Sequence, residues 1–142
     1  MEQQREKALV SYYLSQFGIL HLKGRLYLKD SLFCYIENGY VYDSDKILLQ
    51  VCQRKGVKRD VLYQGVRYFL RKSWEKGFSW HWKYFLGWDL ESPPTSNVAI
   101  RLLCENYVPF VEKYKKFILE IPYHELRKVI EESEKKEIPE IS

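Results

Sequence analysis

Eight cations fall between residues 54 and 76 (Arg54, Lys55, Lys58, Arg59, Arg67, Arg71, Lys72 and Lys76), against two acids, Asp60 and Glu75. Clustered lysine and arginine suit binding to phosphate, because each can neutralise a backbone charge, and arginine can also fork onto a guanine edge. Tyr63 and Gln64 stand among them, and glutamine pairs with adenine by the same kind of two-pronged contact. The whole chain carries only +4, so the clustering, rather than the total, points to a polyanion. From Glu131 onward the sequence is acid-rich, which confines the positive charge to one surface.

Other chemistries are poorly provided for. His21, His81 and His124 are widely separated and share no ligand spacing with Cys34, Cys52 and Cys104, so neither a metal nor a cofactor is expected. There is no nucleophile motif, P-loop or carboxylate pair in a catalytic setting, and Glu131-Glu132 reads as a solvated helix face; an enzyme is not expected. The three cysteines sit in apolar segments without C-x-x-C spacing and read as small core residues in a reducing compartment. Tyr12, Tyr13, Trp80, Trp82 and Trp88 could stack on unpaired bases, but in a chain that is 16% aromatic they are expected to fill a core. No run of about 18 apolar residues occurs, and MEQQREKALVSYYLSQFG has acids and amides where a secretory signal would be apolar. A soluble, cytoplasmic protein without a membrane partner is the expectation.

Helices must position the cations. Leu9, Tyr12, Tyr13 and Phe17 are spaced for a first helix over 3–17 that Gly18 caps. After a connector from Ile19 to Gly24, Leu26, Leu28, Leu32, Phe33, Tyr35 and Ile36 suit a buried second helix, closed by Asn38-Gly39. A third helix has Ser44 or Asp45 as cap, Ile47, Leu48, Val51 and Cys52 on one face, and Gly56 at its end. The fourth, Lys58 to Lys76, has the apolar stripe Leu62, Val66, Phe69, Leu70 and Trp74, which leaves Asp60, Tyr63, Gln64, Arg67 and Arg71 opposite. Gly65 in mid-helix costs about 1 kcal/mol relative to alanine, so it is expected to mark close packing, here against helix three. A fifth helix packs through Phe78, Trp82, Phe85 and Leu86, and Glu91-Ser92-Pro93-Pro94 forms a loop. Thr95 or Ser96 caps a sixth helix that runs through Asn106. Pro109 and Pro122 punctuate two further amphipathic segments, one carrying Phe110, Val111, Tyr114, Phe117, Ile118 and Ile121 and the other Leu126, Val129 and Ile130.

Helices three and four, separated by a few residues around Gly56, have the layout of a helix-turn-helix unit whose second helix lies in a major groove about 12 Å wide. A basic helix can equally be a solvated face of a helical bundle. The stretch His21-Leu22-Lys23-Gly24-Arg25-Leu26-Tyr27-Leu28-Lys29-Asp30-Ser31-Leu32 bears on this choice. It resembles the start of the C-terminal effector domains of the sporulation initiation factor A family, the master response regulators of endospore formation, where the pattern is H-I-K-G-Y-L-Y-L-R-E-A-I. The resemblance continues at Lys46-Ile47-Leu48, at Val66-Arg67-Tyr68 and at Ser73-Trp74-Glu75-Lys76-Gly77, where the family has I-R-H and A-W-S-R-G segments. Phe85-Leu86-Gly87-Trp88 and Pro94-Thr95-Ser96 are similar to the family's L-F-G-Y and P-T-N. It covers about residues 8 to 108.

The resemblance implies an all-α fold, a six-helix helix-turn-helix domain over 1–108, binding double-stranded DNA as a transcription regulator. Residues 109–142 would add a helical C-terminal extension. In that arrangement Lys58, Arg59 and Lys72 contact phosphates, Tyr63, Gln64 and Arg67 face bases, and Arg71 and Lys23 complete the surface. Arg67 matches a basic family position, whereas Tyr63 and Gln64 replace an acidic and a basic residue, so the family's preferred sequence does not transfer. Gly24 is expected to let the chain turn tightly into helix two, with Lys23 and Arg25 solvated and Leu26, Leu28 and Leu32 in the core. The family's receiver domain is expected to be absent. The stripe beyond Pro109 must be buried, either on the domain or against a second copy, so a homodimer through the extension or through DNA stays open. The competing expectation is a protein-interaction module that keeps the helical fold and uses the altered helix-four face or the extension.

Overall fold

The computed structural model describes residues 2–18 and 22–120, with side chains over 5–18 and 22–115. Within them the chain is all-α. Seven helices follow one another: α1 (Glu2–Ser15), α2 (Lys23–Glu37), α3 (Ser44–Lys55), α4 (Arg59–Glu75), α5 (Ser79–Leu86), α6 (Ser96–Glu105) and α7 (Tyr107–Glu120). No strand occurs among the described residues. His21, His124 and the segment carrying Leu126, Val129, Ile130, Glu131 and Glu132 lie outside them.

Burial follows the apolar spacing. α4 buries Leu62, Val66, Phe69 and Leu70, with Trp74 half-buried, and α3 buries Ile47, Leu48 and Val51. Asp43 caps α3 by accepting a hydrogen bond from the Lys46 N–H at 3.2 Å, one residue earlier than the sequence reading placed the cap. Thr95 caps α6 through the Val98 N–H. Gly56 ends α3 in the left-handed conformation, φ 64°, which a glycine adopts without steric cost. Only Gly56, Val57 and Lys58 then separate α3 from α4.

α2 is the central helix, packed against α1, α3, α4 and α6, and its closest partner is α4. The reason is a pair of glycines. A methyl placed on Gly24 would lie 2.2 Å from the carbonyl oxygen of Gly65 and 2.8 Å from Cβ of Phe69. One placed on Gly65 would meet the Tyr27 ring at 2.7 Å. Gly24 therefore serves a close helix crossing and not a turn, since α2 has already begun at Lys23. Gly65 likewise packs on α2 rather than on α3. Arg25, expected in solvent, is only 2% exposed, and Lys29 is buried as well.

Polar groups in the core are tied to backbone. Ser73 Oγ donates to the Phe17 carbonyl at 2.6 Å and accepts from Trp82 Nε1 at 3.1 Å, linking the end of α1 to α4 and α5. Tyr13 Oη donates to the Leu103 carbonyl at 2.6 Å. α7 folds back on α1 and α6: Tyr107 and Phe110 are buried, their ring centroids 5.3 and 4.9 Å from that of Tyr13. Pro109, read as a boundary, lies inside the first turn of α7, where the N–H it lacks would have no intrahelical partner.

Thiol chemistry offers a check on this core. Cys34 and Cys104 are buried and Cys52 is half-buried. Desolvation raises the thiol pKa of Cys104 far above its ordinary value and raises that of Cys34 as well. Since the thiolate is the reactive form, a thiol reagent at neutral pH is expected to modify Cys52 first. The other two should react only as the protein unfolds. Simultaneous labelling of all three, followed by mass spectrometry of the peptides, would contradict the packing.

Candidate nucleic-acid interface

Ion pairing divides the basic segment into two sets. Arg54 bonds Glu37, Lys55 lies 3.1 Å from Asp30, Arg59 3.8 Å from Asp45, and Lys72 3.1 Å from Glu75. Glu75 holds the Lys72 ammonium pKa above its ordinary value, through a hydrogen bond and its charge. Lys58, Arg67, Arg71 and Lys76 have no carboxylate partner among the described residues, and all four are exposed. The paired set includes Arg59, the first residue of α4, and Lys72 in its last turn. Of the unpaired set, Lys58 stands just before α4, Arg67 and Arg71 lie along its outer face, and Lys76 caps its end.

Gln64, Arg67 and Arg71 follow one another at spacings of three and four, so they share one face of α4. This face and the first residue of α2, Lys23, enclose a cleft of ≈ 440 Å³, floored by Gly65 and walled in part by Tyr27 and Tyr68. The Arg71 guanidinium lies over the Tyr68 ring, 5.2 Å from its centroid. Lys72 approaches the same ring at 5.5 Å.

The sequence-derived residues are thus partly brought together. Lys23, Gln64, Arg67 and Arg71 line one concavity, and Lys58 stands just before α4 as its N-cap, with no side-chain hydrogen bond there. Arg59 is exposed but engaged with Asp45. Tyr63 departs from the reading: it is half-buried and packs against the core, while its carbonyl accepts from Ser96 Oγ at 2.8 Å. It sits on the flank of α4, because Ser96 and α6 close over that side. Tyr68 was missed. Its spacing of four after Gln64 and three before Arg71 puts it on the same face.

The remaining aromatic candidates divide similarly. Trp82 is buried, and the indole N–H groups of Trp74 and Trp88 donate to the carbonyls of Glu91 and Ser92 at 2.8 and 2.9 Å. Trp80 and Tyr84, one turn apart on α5, are 62% and 60% exposed. Among the described residues, no group of three His, Cys, Asp or Glu side chains is placed to hold a metal, and no helix is long and apolar enough to cross a membrane. Comparison with protein-family profiles, curated proteins and solved structures finds no match.

Proposed function

We propose that the chain binds double-stranded DNA sequence-specifically, with α3 and α4 acting as a helix-turn-helix unit and α4 entering the major groove. The observation that carries this reading is the unpaired cationic face of α4, which follows a three-residue turn through Gly56. α4 spans 17 residues, about 25 Å at 1.5 Å per residue, enough to lie along a groove and touch both its base edges and its rims. The positive end of the helix dipole adds to Lys58 at the entrance. On this reading Gln64 and Arg67 face bases, while Lys58 and Arg71 lie at phosphates. The likeness to sporulation effector domains supports the same role, as a transcription regulator. Selection of duplexes from a random pool tests it: a common motif should be enriched, and an unenriched pool would sink the reading.

Ion pairing ranks the phosphate contacts. Arg59 must release Asp45 before it reaches DNA, whereas Lys58 need not. Lys58→Ala is therefore expected to lower affinity for all duplexes and to reduce the salt slope by about 1. Arg59→Ala should do so by less, since an exposed pair is worth roughly 0–1 kcal/mol and competes with the phosphate. Equal slopes in both variants, measured by anisotropy between low and moderate salt, would count against this order.

A second reading is supported by the exposed Trp80 and Tyr84, since aromatic residues are enriched at protein interfaces. It makes the chain a protein-interaction module on the same helical fold. Retention of no duplex at low salt, with loss of a partner on Trp80→Ala, would favour it.

A further inference from the structure

We infer that the cleft between the start of α2 and the outer face of α4 binds a phosphorylated small molecule, and that its occupant competes with the duplex. The binding rests on the cleft alone; the competition rests on the DNA-binding reading above.

Three cations from two helices, Lys23, Arg67 and Arg71, line this one concavity, and none has a carboxylate partner among the described residues. Arg67 and Arg71 are four residues apart on a helix, a spacing at which like charges repel. An anion between them relieves that repulsion. The volume of ≈ 440 Å³ lies in the range of small-ligand sites, roughly 300–1,000 Å³. The Gly24–Gly65 crossing fixes α2 against α4, so the backbone that carries Lys23 is set beside the arginines' helix before any ligand arrives, which reduces the ordering cost of binding.

The chemistry favours a phosphoryl group over a carboxylate. Two guanidinium forks and an ammonium match several oxygens carrying more than one negative charge, and arginine meets phosphate in a bidentate manner. The Tyr68 ring beneath Arg71 restrains that guanidinium. With Tyr27 it provides flat walls beside the cations, and Gln64 offers both a donor and an acceptor. A nucleoside di- or triphosphate fits this combination. Because Gln64 and Arg67 are the residues assigned to bases, a filled cleft and a bound duplex exclude one another.

Calorimetric titration of the intact protein with ATP and, separately, with inorganic pyrophosphate tests the site without DNA. Saturable 1:1 binding of ATP is expected, with affinity reduced roughly tenfold by Lys23→Ala and by Arg71→Ala, and unchanged by Lys83→Ala on α5. Saturable pyrophosphate binding that is lost in the same variants would place recognition on the phosphates. No saturable binding of either probe, or equal affinity in all three variants, overturns the site. In a second arm, ATP should release a labelled duplex where sodium chloride of equal ionic strength does not. Simultaneous binding of both overturns the competition. A protein that binds ATP but no duplex leaves the site standing and removes the DNA-binding reading.

Discussion

Gly24→Ala is expected to destabilise the fold by about 3 kcal/mol, at the upper end of the usual cost of overpacking, although alanine is normally the better helix residue by about 1 kcal/mol. The sign reverses because the new methyl would sit 2.2 Å from the Gly65 carbonyl oxygen and 2.8 Å from both its carbonyl carbon and Phe69 Cβ. Two of these three atoms are backbone. α2 and α4 would have to separate, and α2 is also the helix against which α1, α3 and α6 pack. Gly65→Ala should cost less, since the atoms nearest its methyl belong to the Tyr27 side chain, at 2.7 and 3.1 Å, and the nearest backbone atom, Gly24 N, lies at an ordinary 3.7 Å. Urea titrations measure both, and the midpoint of thermal unfolding for Gly24→Ala should fall by about 10 °C. A Gly24→Ala protein as stable as the parent would show that the helices are not in contact there.

Arg67→Ala is expected to weaken binding to a selected duplex about thirtyfold, or roughly 2 kcal/mol, the scale of one lost bidentate base contact. Against random duplexes the loss should be only a few-fold, the share of one released counterion. Arg67 is exposed, has no carboxylate partner among the described residues, and stands in the middle of the α4 face beside Gln64 and Arg71. The unequal losses separate base reading from phosphate neutralisation, and anisotropy titrations at several salt concentrations measure both. Equal losses on both duplexes would move Arg67 to the phosphate set.

What the sequence disclosed was what local periodicity encodes. Leu62, Val66, Phe69 and Leu70 repeat at helical spacing, so α4 and its buried face were visible from the order of residues alone. The sequence reading gave it as Lys58 to Lys76, and these two residues are its caps. The Gly24–Gly65 crossing was not visible, because it joins residues far apart in the chain. Gly24 stood in a cation-rich stretch that read as a turn, and Gly65 was rightly expected at a close contact but assigned the wrong partner helix.

The candidate interface was legible in its residue types but not in its pairing. Lys58, Arg59 and Lys72 share one expected role at phosphates, yet Asp45 reaches Arg59 from α3, and Glu75 holds Lys72 from the following turn. Tyr63 looked solvent-facing by angle, but α6 covers its side of the helix through Ser96. Lys23, expected on this surface from the sequence, lines the cleft because α2 begins beside α4. Pro109 read as a break, although the first turn of a helix accommodates proline.

The central claim, that the outer face of α4 enters a duplex, is tested most directly by backbone amide chemical shifts of the labelled protein titrated with a selected duplex. Perturbations centred on Lys58, Gln64, Arg67 and Arg71, and extending to Lys23, are the predicted result. Shifts confined to α5 and α7 around Trp80, Tyr84 and Lys113, with α4 unmoved, would contradict it.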